Sequence, residues 1–291
     1  MGTNFLPQKR ILVTGANGII GSYLCQYLQG CAEILPTDIA AVPSATPLDI
    51  TQQDEVKKIF NSFRPDVIIH LAGKNLKYCE SNQEIASQVN VDATKLLVDA
   101  ATAHGSKFIF ISSDYVFDGQ RGNYKETDEP NPQTVYGKTK LLAEQYIVNN
   151  SPRHAIVRTS GIYGPGASFY EMVLKALSRQ ERLEPFMDTY FSPTYIEDLA
   201  WAIACLLNEH FETSGIFHVC GATVTTRYEM AFKMALFLKA NLCLLKPMVS
   251  SDNNANIAKN TSLNSESTEK RLNRQFSSLT TGLSRLLGEQ G

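Results

Sequence analysis

No uninterrupted apolar run in this 291-residue chain approaches the length that crosses a bilayer, which argues against an integral membrane protein. The first ten residues hold no apolar signal core, so export is not expected either. The formal net charge is only −2, which leaves no basic footprint for a nucleic acid. Six cysteines (25, 31, 79, 205, 220 and 243) form no CxxC pair, which speaks against a zinc ribbon or a dithiol redox motif and for reduced thiols in the cytoplasm. What is present is an ordinary globular composition, 43% hydrophobic, in a chain long enough for one large domain or a large one with a smaller companion.

The chain opens with a short β-rich run, Arg10 to Thr14, followed by Gly15-Ala16-Asn17-Gly18-Ile19-Ile20-Gly21 and a helical pattern to about Leu28. Strand, glycine turn and helix form the context in which such glycines hold a dinucleotide. Gly15 permits the tight turn, Gly18 lets the backbone approach a pyrophosphate, and Gly21 allows close helix–strand packing. The phosphates then sit at the helix N-terminus, where N–H groups and the dipole favour an anion. A second strand, Glu33 to Thr37, delivers Asp38 at the distance expected of a carboxylate that binds the adenosine ribose, which favours NADH; a solvated turn aspartate is the other reading. Pro47 to Ile50 reads as a third strand, with Asp49 placed to touch the adenine, and Asp54 to Phe63 as the next helix.

Val67 to Gly73 is a continuous apolar run of the kind a parallel strand buried on both faces requires. His70 within it reads as a core histidine rather than a catalyst, while Ala72 and Gly73 leave room for a cofactor. The cofactor lining expected from these stretches comprises Gly15, Asn17, Gly18, Ile19, Ile20, Asp38, Asp49, Ile50, Leu71, Ala72 and Gly73. One long helix is expected from about Asn82 to Ala103. A fifth strand from Lys107 brings Ser112-Ser113-Asp114-Tyr115 to its C-terminal edge, where open α/β sheets bind ligands. A polar loop follows, Asp118 to Thr134, and a sixth strand spans Ala155 to Arg158.

Between those last two lies Tyr136-Gly137-Lys138-Thr139-Lys140. Of the twelve tyrosines, only Tyr136 has a lysine four residues later. That spacing puts both side chains on one helix face, where an ammonium near a phenol is expected to lower its pKa and ready it for proton transfer. Ser113 is then placed to donate a hydrogen bond to a substrate oxygen beside Tyr136.

TGANGIIG, Asp38, HLAG, SSDYVF and YGKTK, in this order, resemble an extended short-chain dehydrogenase/reductase. Residues 109–119, 126–140, 158–164, 188–199 and 214–221, with a weaker match at 260–272, sharpen the resemblance to the dTDP-4-dehydrorhamnose reductase family. It implies a Rossmann-type, doubly wound parallel α/β fold with a smaller, mostly C-terminal substrate-binding part. The cofactor domain is expected over residues 8–160 and 193–221, and the nucleotide-sugar part over 161–192 and 222–291. The implied reaction is NAD(P)H-dependent reduction of the 4-keto group of a nucleotide-linked 6-deoxyhexose, without a metal. Tyr136 protonates the new alkoxide, Lys140 holds the nicotinamide ribose and depresses the phenol's pKa, and Ser113 orients the carbonyl. Lys74, Ser113, Asp114, Tyr115 and Gly161 are the expected substrate contacts. The assembly is left open, a homodimer included.

Departures cluster on the substrate side. Gly161 stands where the family usually has a tryptophan, Lys74 to Cys79 replace a Thr-Ala-Val-Asp-like stretch, and Ala258-Lys259 stands where many members have Arg-Pro. A 4,6-dehydratase would need a glutamate where Tyr115 stands. A 4-epimerase shares Ser, Tyr and Lys. A non-catalytic dinucleotide-binding subunit is a further alternative, since the regulatory subunit of methionine adenosyltransferase resembles this family; the intact Ser113, Tyr136 and Lys140 argue for chemistry.

Overall fold

Strands that lie in the middle of a parallel sheet bury both faces, so the polar-free runs noted above are the ones that form its centre. The computed structural model describes residues 9–208, 214–253 and 258–288. Its sheet strands are β1 (Arg10–Thr14), β2 (Glu33–Asp38), β3 (Thr46–Pro47), β4 (Val67–His70), β5 (Lys107–Ser113), β6 (His154–Thr159) and β7 (Gly215–Val219). They form one seven-stranded sheet in the order β7-β6-β5-β4-β1-β2-β3. β1 pairs in parallel with both β2 and β4, and β4 with β5. The chain runs outward from β1 through β3, then returns to β4 and builds the other half. The order therefore reverses between β1 and β4, the point at which a doubly wound sheet opens a crevice.

The helices are α1 (Ile19–Tyr27), α2 (Gln53–Phe63), α3 (Leu76–Ser81), α4 (Gln83–Ser87), α5 (Ala93–Ala103), α6 (Val135–Asn150), α7 (Ser168–Ser178), α8 (Ile196–Leu206), α9 (Arg227–Phe237), α10 (Glu266–Leu272) and α11 (Leu279–Leu287). Phe60 of α2, Leu97 and Val98 of α5, and Ala143 and Ile147 of α6 pack with Leu12, Ile68, Phe108, Phe110 and Ile156 of the sheet in one buried cluster. Each such side chain removed from water contributes roughly 1.5–3 kcal/mol. α6 is also tied to β6 by an ion pair between Glu144 and Arg158, 2.6 Å from Nη2 to Oε2, with both side chains almost wholly buried.

Two expectations are corrected. The third strand is confined to Thr46–Pro47, because Pro47 has no N–H to donate and the strand lies at the sheet's edge. The single helix expected over 82–103 is broken into α4, a π-helical turn at Gln88–Asp92, and α5. The side chain of Asn90, in that π turn, is buried and hydrogen-bonded to four groups: it accepts from Lys74 N at 2.7 Å and donates toward Lys74 O, Cys79 Sγ and Thr139 Oγ1.

By contacts the chain divides into two compact units. One is built from Met1–Val116, Pro130–Arg158 and Ala200–Phe217, the other from Phe117–Glu129, Thr159–Leu199 and His218–Gly291. The expected division assigned 117–129, 159–160, 193–199 and 218–221 to the first. In the second unit, Ile162–Tyr163 pairs with Thr194–Tyr195 and Tyr190–Phe191 with Thr225–Thr226, and Tyr163, Val173, Met230, Met234 and Leu283 are buried. No helix among the described residues is long and apolar enough to cross a membrane.

Candidate active site

A cleft of about 370 Å³ opens where the strand order reverses, lined from the ends of β1, β2 and β4. Eight of the residues expected to hold a dinucleotide line it: Gly15, Gly18, Asp38, Asp49, Ile50, Leu71, Ala72 and Gly73. Lys74, expected on the substrate, lines this cleft too, with its ammonium 5.0 Å from the Tyr78 ring centroid. Asn17, Ile19 and Ile20, and Tyr136 and Lys140, which were expected to touch the dinucleotide as well, are not among its lining residues. Thr14, Thr37, Ile39, Leu48, Thr51, Ile85, Gln88 and Val89 complete the wall and were not foreseen from sequence. Ile39, directly after Asp38, is a large apolar side chain left 69% exposed at the cleft.

The glycine turn has the shape a pyrophosphate needs. A side chain on Gly15, whose φ is +73°, would strike the Ala72 backbone at 2.6 Å, and one on Gly21 the Gly15 carbonyl at 2.3 Å. A β-carbon on Gly18 meets only Gly15 O, at 3.2 Å, so its other side is open. Gly18 caps α1 without any side-chain hydrogen bond, which leaves the helix start bare for an anion. Asp38 Oδ2 accepts from the Asn17 N–H at 3.1 Å, so the carboxylate faces the turn from the end of β2. Asp49 is desolvated, yet hydrogen bonds from Thr51 outweigh that cost and hold its carboxyl below the ordinary value.

His70 is a satisfied core residue as expected. Its ring nitrogens meet Thr14 Oγ1 at 2.7 Å and Thr94 Oγ1 at 2.9 Å, and burial, helped by Lys140, pushes its pKa down to about 3.

Ser113 ends β5, and α6 carries Tyr136 and Lys140 past it. Thr134 caps α6 by accepting from Gly137 N at 3.0 Å. The buried face of α6 includes Lys140, Ala143, Glu144 and Ile147, so two charged residues occupy core-facing positions. Lys140 Nζ donates to Ile111 O at 3.0 Å and lies 4.6 Å from the Phe110 ring centroid and 5.9 Å from that of Tyr136. Ser113 Oγ donates to Asp114 Oδ1 at 2.8 Å and accepts from Tyr115 N at 3.2 Å. Tyr115 meets Tyr136 edge to face with centroids 6.0 Å apart.

The electrostatics correct one expectation. Burial first, then the Asp114 carboxylate, raise the Tyr136 pKa above that of an ordinary phenol, with a hydrogen bond between Tyr136 and Ser113 working the other way. Lys140 does not offset these effects. Its ammonium is directed to a backbone carbonyl, and burial lowers its own pKa to about 8, with Glu144 opposing. Tyr136 thus keeps its proton at neutral pH, which suits an acid rather than a base. Gly161, the remaining expected contact, lies in the second unit, where a β-carbon would fall 2.9 Å from Phe191 Cε2 and 3.1 Å from Arg227 Nη2. Among the described residues no group of three or more His, Cys, Asp or Glu could hold a metal.

A doubly wound sheet, a glycine turn under a cleft at its switch point, and a serine, tyrosine and lysine gathered at the end of β5 define a short-chain dehydrogenase/reductase type of protein. The model of the RmlD substrate binding domain matches residues 9–290, and the chain belongs to that family. It is 35% identical to a dTDP-4-dehydrorhamnose reductase of Aggregatibacter actinomycetemcomitans over 240 residues, 79% of each chain. It is 30% identical to the methionine adenosyltransferase 2 subunit beta of Bos taurus over 264 residues, 84% of this chain and 77% of the relative. The crystal structure of Bacillus anthracis dTDP-4-dehydrorhamnose reductase in complex with NADP superposes with a TM-score of 0.88 at 28% identity, covering 97% of this chain and all of that one.

Proposed function

We propose that this protein reduces the 4-keto group of a nucleotide-linked 6-deoxyhexose, dTDP-4-dehydrorhamnose to dTDP-rhamnose, with NADH or NADPH. The observation that carries the reading is the gathering of Ser113, Tyr136 and Lys140 beside the cleft's own unit in a chain of this family. The bound dinucleotide supplies the hydride, for which no side chain can substitute. Gly15, Gly18 and the start of α1 take its pyrophosphate, Asp38 its adenosine ribose and Lys140 its nicotinamide ribose. Tyr136, kept protonated by burial and by Asp114, delivers a proton to the oxygen at the sugar C4, and Ser113 orients that oxygen. Asp114 and Tyr115 are assigned to the sugar from the first unit and Gly161 from the second, which we take as the nucleotide-sugar-binding part. We place the protein in the cytoplasm, a reading that its unbridged cysteines support. We take a homodimer as its assembly; the exposed Leu142 and Val148 on α6 support an apolar contact there.

Oxidation of NADH and NADPH against a panel of nucleotide-linked 4-keto sugars tests class and substrate together. Conversion between 4-epimers without net oxidation of added cofactor would replace the reductase by an epimerase. A second reading rests on the 30% identity to the bovine methionine adenosyltransferase subunit, namely that this chain binds dinucleotide and regulates a partner. Tight dinucleotide binding with no turnover of any sugar in the panel favours that reading.

A further inference from the structure

Gly161 lies two residues beyond the end of β6, at the C-terminal edge where a parallel sheet receives ligands. The tryptophan usual in the family is absent there, but its space is filled. Phe191 and Arg227 come up against the Gly161 α-carbon so closely that even a β-carbon would be crowded by both.

Arg227 is held in an unusual way. Its guanidinium carbon lies 4.5 Å from the centroid of the Phe169 ring and 4.5 Å from that of Phe191, so the cation packs against two rings. Each contact is favourable in its own right, and together they restrain the cation. A guanidinium makes its hydrogen bonds along its edge, an arrangement that matches two oxygens of a phosphate or carboxylate. Its place in the chain points the same way. Arg227 is the first residue of α9, where the helix dipole disfavours a cation and welcomes an anion. The helix end itself is already served, because Thr226 and Glu229 form a reciprocal capping box.

We infer that Arg227, braced by Phe169 and Phe191, binds the diphosphate of the nucleotide sugar and replaces the missing aromatic wall by an ionic anchor. This rests on the proposed activity, on which the diphosphate is the only anionic group of a nucleotide-linked 6-deoxyhexose.

The test is calorimetric titration of the parent, Arg227→Met and Arg227→Lys with dTDP, UDP-glucuronate and NADH. Arg227→Met should weaken dTDP about ten- to a hundredfold, the loss typical of a charge-assisted hydrogen bond. Arg227→Lys should recover part of it, since the charge survives but the planar fork does not. NADH should bind all three proteins equally, which also shows that the variants are folded. Parent-like dTDP affinity in Arg227→Met overturns the inference. So does a loss confined to UDP-glucuronate, which would make Arg227 a reader of sugar carboxylates. If the parent binds NADH but neither nucleotide, the nucleotide-sugar reading itself fails and the inference falls with it. Should Arg227→Met lose NADH binding by misfolding, the comparison of Arg227→Lys with the parent decides: equal dTDP affinity overturns, weaker dTDP with unchanged NADH supports.

Discussion

The α-carbon of Gly137 passes so close to the Tyr115 carbonyl that a β-carbon there would lie 2.1 Å from the oxygen. The glycine beside Tyr136 is therefore what lets α6 approach the turn after Ser113. Gly137→Ala must push the helix away from backbone atoms that cannot yield. Turnover should fall by about a hundredfold, the usual result of a displacement near 1 Å at a reacting centre, while binding of NADH changes little. Turnover at the parent rate would show that the close approach is not needed for chemistry.

Tyr136→Phe removes one hydroxyl and almost no volume. The rate should drop by roughly 10²- to 10⁴-fold with cofactor affinity preserved. Lys140→Met should lose both turnover and dinucleotide affinity, because the same ammonium is assigned to the ribose. Stopped-flow reduction and titration with NADH separate the two, and identical cofactor affinities in the two variants would remove Lys140 from the ribose.

The titration of Lys140 gives a pH dependence. Its folded pKa, about 8, lies below its ordinary value of 10.5. Between these values the unfolded chain holds more protons than the folded one at this group, so its contribution to stability rises with pH across that window and is unfavourable below it. Activity runs the other way, because the charged form is the one assigned to the ribose. kcat/KM should decline above about pH 8 with one ionisation, and Lys140→Met should lack that limb.

Asp38 faces the glycine turn through its bond to the Asn17 N–H. A carboxylate there accepts ribose hydroxyls and repels a 2′-phosphate, so NADH should serve at least as well as NADPH. Asp38→Asn should improve NADPH by about tenfold, worth roughly 1.4 kcal/mol. A parent preference for NADPH of a hundredfold, about 2.7 kcal/mol, would mean that the side chain turns away when cofactor binds.

Glu144 and Arg158 join α6 to β6 out of reach of water. Glu144→Gln leaves the Arg158 cation without its counter-charge, which should cost roughly 3–5 kcal/mol of stability. The midpoint of urea unfolding should fall accordingly, and an unchanged midpoint would mean that solvent enters the pair.

The central strands were legible because burial on both faces writes itself as an unbroken apolar run, as in Val67–His70 and the strand from Lys107. The glycine turn and the Tyr136–Lys140 spacing were legible because each depends on neighbours in sequence. The break at Asn90 was not, since apolar periodicity continues through it and only the partners of one amide reveal the π turn. Nor was the direction of the Tyr136 shift. Spacing on a helix gives proximity to Lys140, but burial and the Asp114 charge come from the folded surroundings. Arg227 was invisible for the same reason: Phe169 and Phe191 lie on other elements, and nothing local marks their convergence.

The fourfold-bonded Asn90 makes the floor of the cleft and the catalytic helix a single mechanical linkage. Its Oδ1 accepts from the N–H of Lys74, immediately after Gly73, and its Nδ2 reaches both the Lys74 carbonyl and Oγ1 of Thr139, the neighbour of Lys140. A dinucleotide that settles against Gly73 and Lys74 narrows the motions of that loop, and the amide transmits the restriction to the middle of α6. Cofactor arrival should then stiffen Tyr136 and Lys140 before any sugar is present. Ordered addition, with dinucleotide first, follows from this wiring, and slower amide hydrogen exchange around Thr139 in the binary complex would be its signature.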